Sequence, residues 1–250
     1  VAILLANVPE FHLVDLAALH LGAVPVSIYP TDPRERMAAV IDAAATPVLV
    51  AGQEFASRAL ELRSDCATLG LIVLVAEEAP GDAITLHELE QTPLPADYDQ
   101  RWRSVGPEDI ACLLFTSGTT GAPKGVELSH RAIVASMAHY AARAPLTANG
   151  RVISYLPTAH IADRFAAHYA GISYGHTIWT VPDHETLYRT IREVEPTHFF
   201  TVPRVLEKLC AAAMDLLDDD RRSRVSRRRD ELHEAGQVAY RAIEERDPDF

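Results

Sequence analysis

One stretch of the sequence, residues 116–125, has the composition of a phosphate-binding loop. It has the sequence TSGTTGAPKG and no large apolar side chain. Glycines let backbone N–H groups turn toward an anion, hydroxyl groups add donors, and the ammonium group of Lys124 adds a positive charge. An ordinary turn needs only two or three such residues. The residues that we predict to bind phosphate are Thr116, Ser117, Gly118, Thr119, Thr120, Gly121 and Lys124.

The separation of Gly118 and Lys124 also matches the Walker-type P-loop, G-x-x-x-x-G-K-[ST]. Two positions disagree with that motif. Pro123 stands where a glycine precedes the lysine, and Gly125 stands where a hydroxyl residue would bind magnesium. The Walker loop opens directly into a helix, whereas residues 125–128 have the pattern of an extended segment. A kinase or motor ATPase of the Walker type is therefore disfavoured.

The elements around this loop alternate between apolar strands and amphipathic helices. Asp32 has the position of an N-cap, with Pro33 as the first helical residue and Glu35 as the capping-box glutamate. The predicted strands cover residues 1–5, 24–29, 48–50, 71–76, 110–115, 152–156, 177–181 and 198–202. The predicted helices cover residues 9–21, the segment after Asp32, 54–63, 129–143, a segment through 165, and 183–194. This alternation predicts an α/β fold with mostly parallel sheets covered by helices.

A proline-rich connection divides the sequence into two predicted lobes. Residues 93–108 contain three prolines and show no periodicity. We therefore expect a first α/β lobe at residues 1–92 and a phosphate-loop lobe at residues 109–250, which ends in a charged helix.

The composition excludes several classes of protein. The chain has 250 residues, 48% of them hydrophobic, and a formal net charge of -12, which disfavours nucleic acid or anionic lipid as a partner. The arginine-rich run at residues 221–229 is flanked by acidic residues and has no aromatic residues within it, so we interpret it as a solvated helix surface. Three distant cysteines favour the reducing cytoplasm. The longest apolar runs are too short to span a membrane.

Four stretches together indicate a family. TSGTTGAPKGVELSH resembles the phosphate-binding motif of the adenylate-forming (AMP-binding) superfamily. NVPEFHLVDLAALHLGAVPVSIYPT, YLPTAHIADRF and PTHFFTVPRVLEKL resemble long-chain fatty acyl-CoA synthetases, in the same order along the chain. The resemblance spans residues 7–209. It implies part of the large N-terminal domain of an adenylate-forming enzyme.

This resemblance implies an acid-thiol ligase that acts in two steps. ATP and a fatty acid give acyl-adenylate and pyrophosphate, and coenzyme A then displaces AMP to leave the thioester. In the family Mg²⁺ bridges the phosphates, and by similarity Thr116 is its candidate ligand. His160 matches the family histidine beside the acyl and adenylate site, so His160 and Lys124 are the catalytic candidates. Asp163 and Arg164 match a common Glu-Arg pair, for which an exposed ion pair on a helix is an equally good interpretation.

Other family features have no match after Leu209, namely the Tyr-Gly-x-Thr-Glu stretch, the ribose-binding aspartate and the small C-terminal domain with its lysine. We therefore expect a piece of a longer protein that does not make acyl-adenylate by itself. Two alternatives stay open: an adenylation domain that loads a carrier protein, and an inactive binding fragment. The sequence also leaves open the acyl chain length, a homodimer and peripheral contact with a membrane.

Overall fold

The computed structural model describes most of the chain, in three long stretches. These are residues 1–116, 123–143 and 146–215, with the single positions 218, 221, 223, 224, 226, 227, 228 and 230. Of the predicted phosphate-binding residues, Ser117, Gly118, Thr119, Thr120 and Gly121 lie outside the described residues. The chain divides into two compact units, residues 1–200 and residues 201–250.

Strands and helices alternate along the first unit, as the sequence predicted. The strands are β1 Ala2–Leu4, β2 Val26–Ser27, β3 Val48–Gly52, β4 Leu71–Val75, β5 Ile84–Thr85, β6 Ile110–Thr116, β7 Lys124–Ser129, β8 Arg151–Ser154 and β9 Thr177–Thr180. The helices of this unit are α1 Pro9–His20, α2 Arg34–Ala43, α3 Ala56–Asp65, α4 Leu86–Glu90, α5 Tyr98–Ser104, α6 His130–Arg143, α7 Ile161–Asp163, α8 Ala170–Tyr174 and α9 Leu187–Val194. The second unit begins with α10 Pro203–Asp215.

The first seven strands form one sheet in the order β5-β4-β3-β1-β2-β6-β7, and only the β6–β7 pair is antiparallel. Successive side chains of a strand point to opposite faces. Leu4 packs with residues of α2 and α3, whereas Ile3 packs with residues of α1. Both faces are therefore apolar and covered by helices, which confirms the predicted α/β class.

A second sheet, made of β8 and β9, is parallel and has two strands. Its two strands are connected by a helical run at residues 161–174, which we call the site helix. This run consists of α7, a π-helical turn at Arg164–Tyr169, and α8. The left-handed backbone of Gly175 (φ 68°) ends it, as expected for a glycine that follows a helix.

Two local predictions are wrong. The N-cap of α2 is Pro33, with no side-chain cap, because the Asp32 carboxylate instead pairs with Arg36 Nε at 3.0 Å. Residues 198–202 form no strand with the described residues. The N–H of His198 donates to the Arg151 carbonyl, and Phe199 stacks on a neighbouring aromatic ring, so side-chain packing holds the segment in place.

The predicted connection at residues 93–108 contains α5, a helix that the sequence pattern did not indicate. Strand β6, which follows this connection, pairs with β2, which precedes it. The seven-stranded sheet therefore includes strands from both sides of the connection. The division of the chain into lobes at this point stays a prediction. None of the helices in the described part of the chain is both long and apolar enough to cross a membrane.

Candidate active site

The predicted phosphate loop connects two neighbouring antiparallel strands. Thr116 ends β6 and is paired directly with Lys124, which begins β7. Side chains of directly paired residues lie on the same face of a sheet, with their Cβ atoms about 4.5–5.5 Å apart. Both side chains are exposed to solvent. The two residues that flank the loop therefore present a hydroxyl and an ammonium group side by side.

The shared face of these two residues is the one covered by α6 and the site helix. Cys112, Leu114 and Thr116 are every second residue of β6, so their side chains lie on one face of the sheet. They form a buried cluster with Met137 of α6 and Tyr169 of the site helix. Apolar packing thus holds α6 and the site helix against the part of β6 that precedes Thr116.

A cleft of about 440 Å³ opens at this end of the sheet. Its walls come from the chain that follows β2, from the last three residues of β6, and from the start of the site helix. In open α/β sheets, ligands bind outside the carboxyl ends of the parallel strands, which is where this cleft lies. The residues that line it are Tyr29, Asp32, Arg36, Leu114, Phe115, Thr116, Ala159, His160 and Ile161.

Two of the predicted site residues, Thr116 and His160, therefore lie in one cleft, although they are 44 positions apart in sequence. His160 is exposed and is the N-cap of the site helix, where its Nδ1 accepts a hydrogen bond from the N–H of Ala162 at 3.0 Å. In the neutral ring the proton then resides on Nε2. The imidazole can donate that hydrogen to a ligand in the cleft.

Three polar residues of the cleft were not predicted from the sequence. Tyr29, Asp32 and Arg36 follow β2 and lie in the cleft because β2 pairs with β6. Burial, followed by the nearby Asp32 carboxylate, raises the pKa of Tyr29. The spacing of Asp32 and Arg36, four residues apart around a helix start, was the available signal, but Asp32 was interpreted only as an N-cap.

The interpretation of Asp163 and Arg164 as an exposed ion pair is wrong. Both side chains are buried, and each binds different partners. Asp163 accepts from the Ser154 hydroxyl at 2.6 Å and from the N–H groups of Tyr155 and Leu156, each at 3.1 Å. Burial raises the pKa of Asp163 to about 6, against the opposing effect of these hydrogen bonds.

Arg164 anchors the site helix to the main sheet through a buried network. Its guanidinium group pairs with Asp15 of α1, donates to the Ser27 hydroxyl of β2 at 2.7 Å, and donates to the Tyr169 hydroxyl at 3.3 Å. Burial alone would raise the pKa of Asp15, but the Arg164 charge and a hydrogen bond from His168 hold it below its usual value.

Two histidines extend this network. His168 Nε2 lies 2.8 Å from the Asp15 carboxylate, and its Nδ1 lies 2.9 Å from Nδ1 of His12. A carboxylate only accepts, so His168 donates to it through Nε2. Burial lowers the pKa of His12 to about 3. His12 therefore stays neutral.

The cleft offers little to a metal ion on its own. Among the described residues, no group of three or more His, Cys, Asp and Glu side chains could hold one. Mg²⁺ in nucleotide sites keeps several waters and binds mainly to substrate phosphates, with few protein oxygens. The exposed Thr116 hydroxyl at the rim of the cleft fits such a partial role.

Comparison with known proteins places these features in a wider context. A family model described as AMP-binding enzyme matches residues 1–235. The long-chain-fatty-acid–CoA ligase heimdall of Drosophila melanogaster is 32% identical over 228 residues, which cover 84% of this chain and 33% of the fly protein. The chain spans between 20% and 34% of the length of the first curated relatives that it matches.

Solved structures share the fold. Acetoacetyl-CoA synthetase from Streptomyces lividans superposes with a TM-score of 0.73 at 20% identity, over 85% of this chain and 35% of that protein. The amide bond synthetase McbA from Marinactinospora thermotolerans superposes with a TM-score of 0.71 at 25% identity, over 87% of this chain and 42% of that protein.

Proposed function

Because the chain belongs to the AMP-binding enzyme family, we propose that the whole protein activates a fatty acid with ATP and transfers the acyl group to coenzyme A. The observation that carries this proposal is that Thr116, which is paired directly with Lys124, lines a cleft that also contains His160. The name of the fly relative, a long-chain-fatty-acid–CoA ligase, supports a fatty acid as the substrate.

In the proposed first step, a carboxylate oxygen of the fatty acid attacks the α-phosphorus of ATP. The bond from that phosphorus to the oxygen bridging the α- and β-phosphates breaks, and pyrophosphate leaves with the negative charge. Positive charge held in place where this charge develops lowers the barrier. Lys124, with the loop amides and hydroxyls of residues 116–121, is proposed to bind the β- and γ-phosphates. Mg²⁺, when bound, would neutralise part of the same charge.

His160 is proposed to contact the acyl group and the adenylate. Its Nδ1 is engaged by the Ala162 N–H, so the ring is held with Nε2 as the donor. A fixed donor beside the reacting carboxylate orients it for attack on phosphorus. In the second step the thiol of coenzyme A attacks the acyl carbon, AMP leaves through its phosphate oxygen, and the thioester remains.

The proposal concerns the whole protein, because the chain spans at most 34% of the first curated relatives. Residues 1–250 alone are not expected to complete adenylation. Coenzyme A as the acceptor, the cytoplasmic location, a homodimer and peripheral membrane contact stay predictions.

Fatty-acid-dependent exchange of pyrophosphate into ATP, measured on the full-length protein, tests the first step. Lys124→Ala is expected to lower the exchange rate by roughly 10²–10³-fold, as losses of a single charge-stabilising donor do. Lys208→Ala is the matched control, because Lys208 is the other lysine of the chain and is exposed on α10. Equal rates for the two variants would overturn the assignment of the loop.

The acceptor is tested by supplying coenzyme A or a phosphopantetheinylated carrier protein to the same adenylating enzyme. We expect the acyl thioester of coenzyme A to accumulate and the carrier to stay unloaded. Loading of the carrier with no coenzyme A thioester would favour the alternative, an adenylation domain.

A further inference from the structure

One buried carboxylate, that of Asp163, fixes the β8 end of the loop that carries His160. The loop runs from Tyr155 to His160 and begins where β8 ends. Two consecutive N–H groups, those of Tyr155 and Leu156, donate to Oδ1 of Asp163 at 3.1 Å. The Ser154 hydroxyl donates to Oδ2 of Asp163 at 2.6 Å. One side chain thus satisfies three donors at the point where the chain leaves the sheet.

Asn7 completes the attachment from the main sheet. It follows β1 and is buried, and its Nδ2 donates to Ser154 Oγ at 3.0 Å and to the Leu156 carbonyl at 2.8 Å. The carboxyl end of β1 is therefore connected to the carboxyl end of β8. The Ser154 hydroxyl accepts from Asn7 and donates to Asp163, so the three side chains form a directional chain of hydrogen bonds.

The other end of the loop is continuous with the site helix. The His160 N–H donates to the Pro157 carbonyl at 2.8 Å, and Asp163 lies in the first turn of the helix, three residues after His160. Asp163 therefore fixes both the start of the loop and the helix turn to which His160 belongs. His160 therefore lies along the chain between two segments that the same carboxylate holds.

We propose that Asp163 and Asn7 are positioning residues for His160: they hold the loop at residues 155–160 so that the imidazole stands at the rim of the cleft. This inference rests on the proposed function, in which His160 contacts the substrate. Neither Asp163 nor Asn7 lines the cleft, so both act through the loop. A carboxylate is required at 163, because Ser154 already accepts from Asn7 and must donate its own hydrogen.

The first test follows the loop directly, by hydrogen exchange of the backbone amides in residues 155–160 of the full-length protein. Asp163→Asn places an N–H donor against the Ser154 hydroxyl, and Asn7→Ala removes the hydrogen bonds from Asn7 to Ser154 and Leu156. Each is expected to speed exchange in the loop at least about tenfold, as the loss of a buried hydrogen-bond partner does. Asp109→Asn is the matched control, because Asp109 is an exposed carboxylate that accepts the Gly106 N–H at 2.7 Å and precedes β6, at the end of that strand opposite Thr116. Unchanged exchange in Asp163→Asn overturns the inference.

The second test separates positioning from general damage. Asp163→Asn is expected to lower kcat for pyrophosphate exchange by roughly 10- to 100-fold, as a small misplacement of a substrate-orienting group does, with the KM for ATP unchanged. Asp163→Glu keeps the carboxylate and is expected to recover most of kcat. In a His160→Ala background the same Asp163→Asn change is expected to have little further effect.

The outcomes of these tests distinguish the positioning role of Asp163 from the substrate contact proposed for His160. If Asp163→Asn lowers kcat as much in the His160→Ala background as in the wild type, the carboxylate does not act through His160 and the inference is wrong. If His160→Ala alone leaves exchange activity intact, the proposed function of His160 fails, and the positioning role fails with it. Loop exchange that stays slow in Asp163→Asn overturns only the positioning role.

Discussion

Arg164 offers the sharpest test of how the site helix is held against the main sheet. The side chain is fully buried, and its guanidinium group binds Asp15, Ser27 and Tyr169. Arg164→Met keeps an unbranched chain of similar length but removes the charge and all of these hydrogen bonds. Asp15 then stays buried, with His168 as the other described hydrogen-bond partner of its carboxylate.

The expected cost follows from the uncompensated carboxylate. Removal of one partner of a buried ion pair typically costs about 3–5 kcal/mol, since the remaining charge has lost its counter-charge and is still shielded from water. For a domain of about 200 residues, each kcal/mol lowers the melting temperature by about 2–4 °C. Arg164→Met should therefore lower the melting temperature of this domain by roughly 6–20 °C.

Scanning calorimetry of the full-length variants at pH 7 measures this. Asp15→Asn in the Arg164→Met background removes the stranded charge, so the double variant should melt higher than Arg164→Met alone. Arg34→Met is the control, because Arg34 pairs with Asp65 on the exposed surface, where water replaces the partner. The reasoning is refuted if Arg164→Met melts within a degree or two of the control, or if the second substitution lowers the melting temperature further by its full single-variant effect.

Two other predictions follow from the packing and charge of the same region. Gly125 has little room for a side chain, because an added Cβ would lie 3.1 Å from Leu113 Cδ1 and 3.3 Å from Phe115 Cζ. Gly125→Val should therefore lower the free energy of unfolding, measured by urea titration, by about 1–3 kcal/mol. Gly70→Ala is the control, because the atom nearest to its added Cβ is 3.7 Å away, and it should change the free energy of unfolding by less than about 0.5 kcal/mol. Equal costs for the two variants would contradict this prediction. Folding raises the pKa of Asp163 from 3.8 to about 6, so the folded protein holds this proton more tightly than the unfolded chain does. The stability that comes from this difference is complete below pH 3.8 and is lost as the pH rises through 6. Relative to Asp163→Asn, the wild type should lose up to about 3 kcal/mol between pH 4 and 7, and a difference that stays constant over this range would refute the burial argument.

The positions of most strands along the chain were predictable, because these strands are buried on both faces. Segments such as Leu71–Val75 are continuous apolar runs bounded by polar or glycine-containing chain. Such a run is uncommon outside a strand or a buried helix, and its length of five residues favours a strand. The helix α5 was not predictable on the same grounds, because it has no buried residue and therefore no apolar stripe.

The wrong strand at residues 198–202 shows the limit of composition. Phenylalanine, threonine and valine favour extended chain, but a strand also requires a partner with free N–H and carbonyl groups. Here Phe199 stacks on Tyr155 at 5.5 Å between ring centroids, which satisfies the apolar side chain without a ladder. Residue type alone does not reveal which of these two ways of burial is used.

The site was predictable where it depends on neighbours in sequence, and unpredictable where it depends on strand order. Thr116 and Lys124 flank one loop, so their pairing follows from a hairpin. Tyr29 and Arg36 reach the same cleft only because β2 pairs with β6, which is more than 80 residues further along the chain. The burial of Arg164 likewise depends on Asp15, 149 positions earlier, and a local pattern carries no sign of it.

Calorimetric titration of the full-length protein with pyrophosphate and with ATP tests the phosphate site most directly. Lys124→Ala should weaken binding of both ligands by roughly 10- to 100-fold, because a charged hydrogen bond to phosphate is lost. Thr116→Ala should weaken ATP binding more in the presence of Mg²⁺ than in its absence, and Lys208→Ala should bind like the wild type. If Lys124→Ala binds pyrophosphate and ATP as tightly as Lys208→Ala does, the hairpin between β6 and β7 is not the site of the triphosphate.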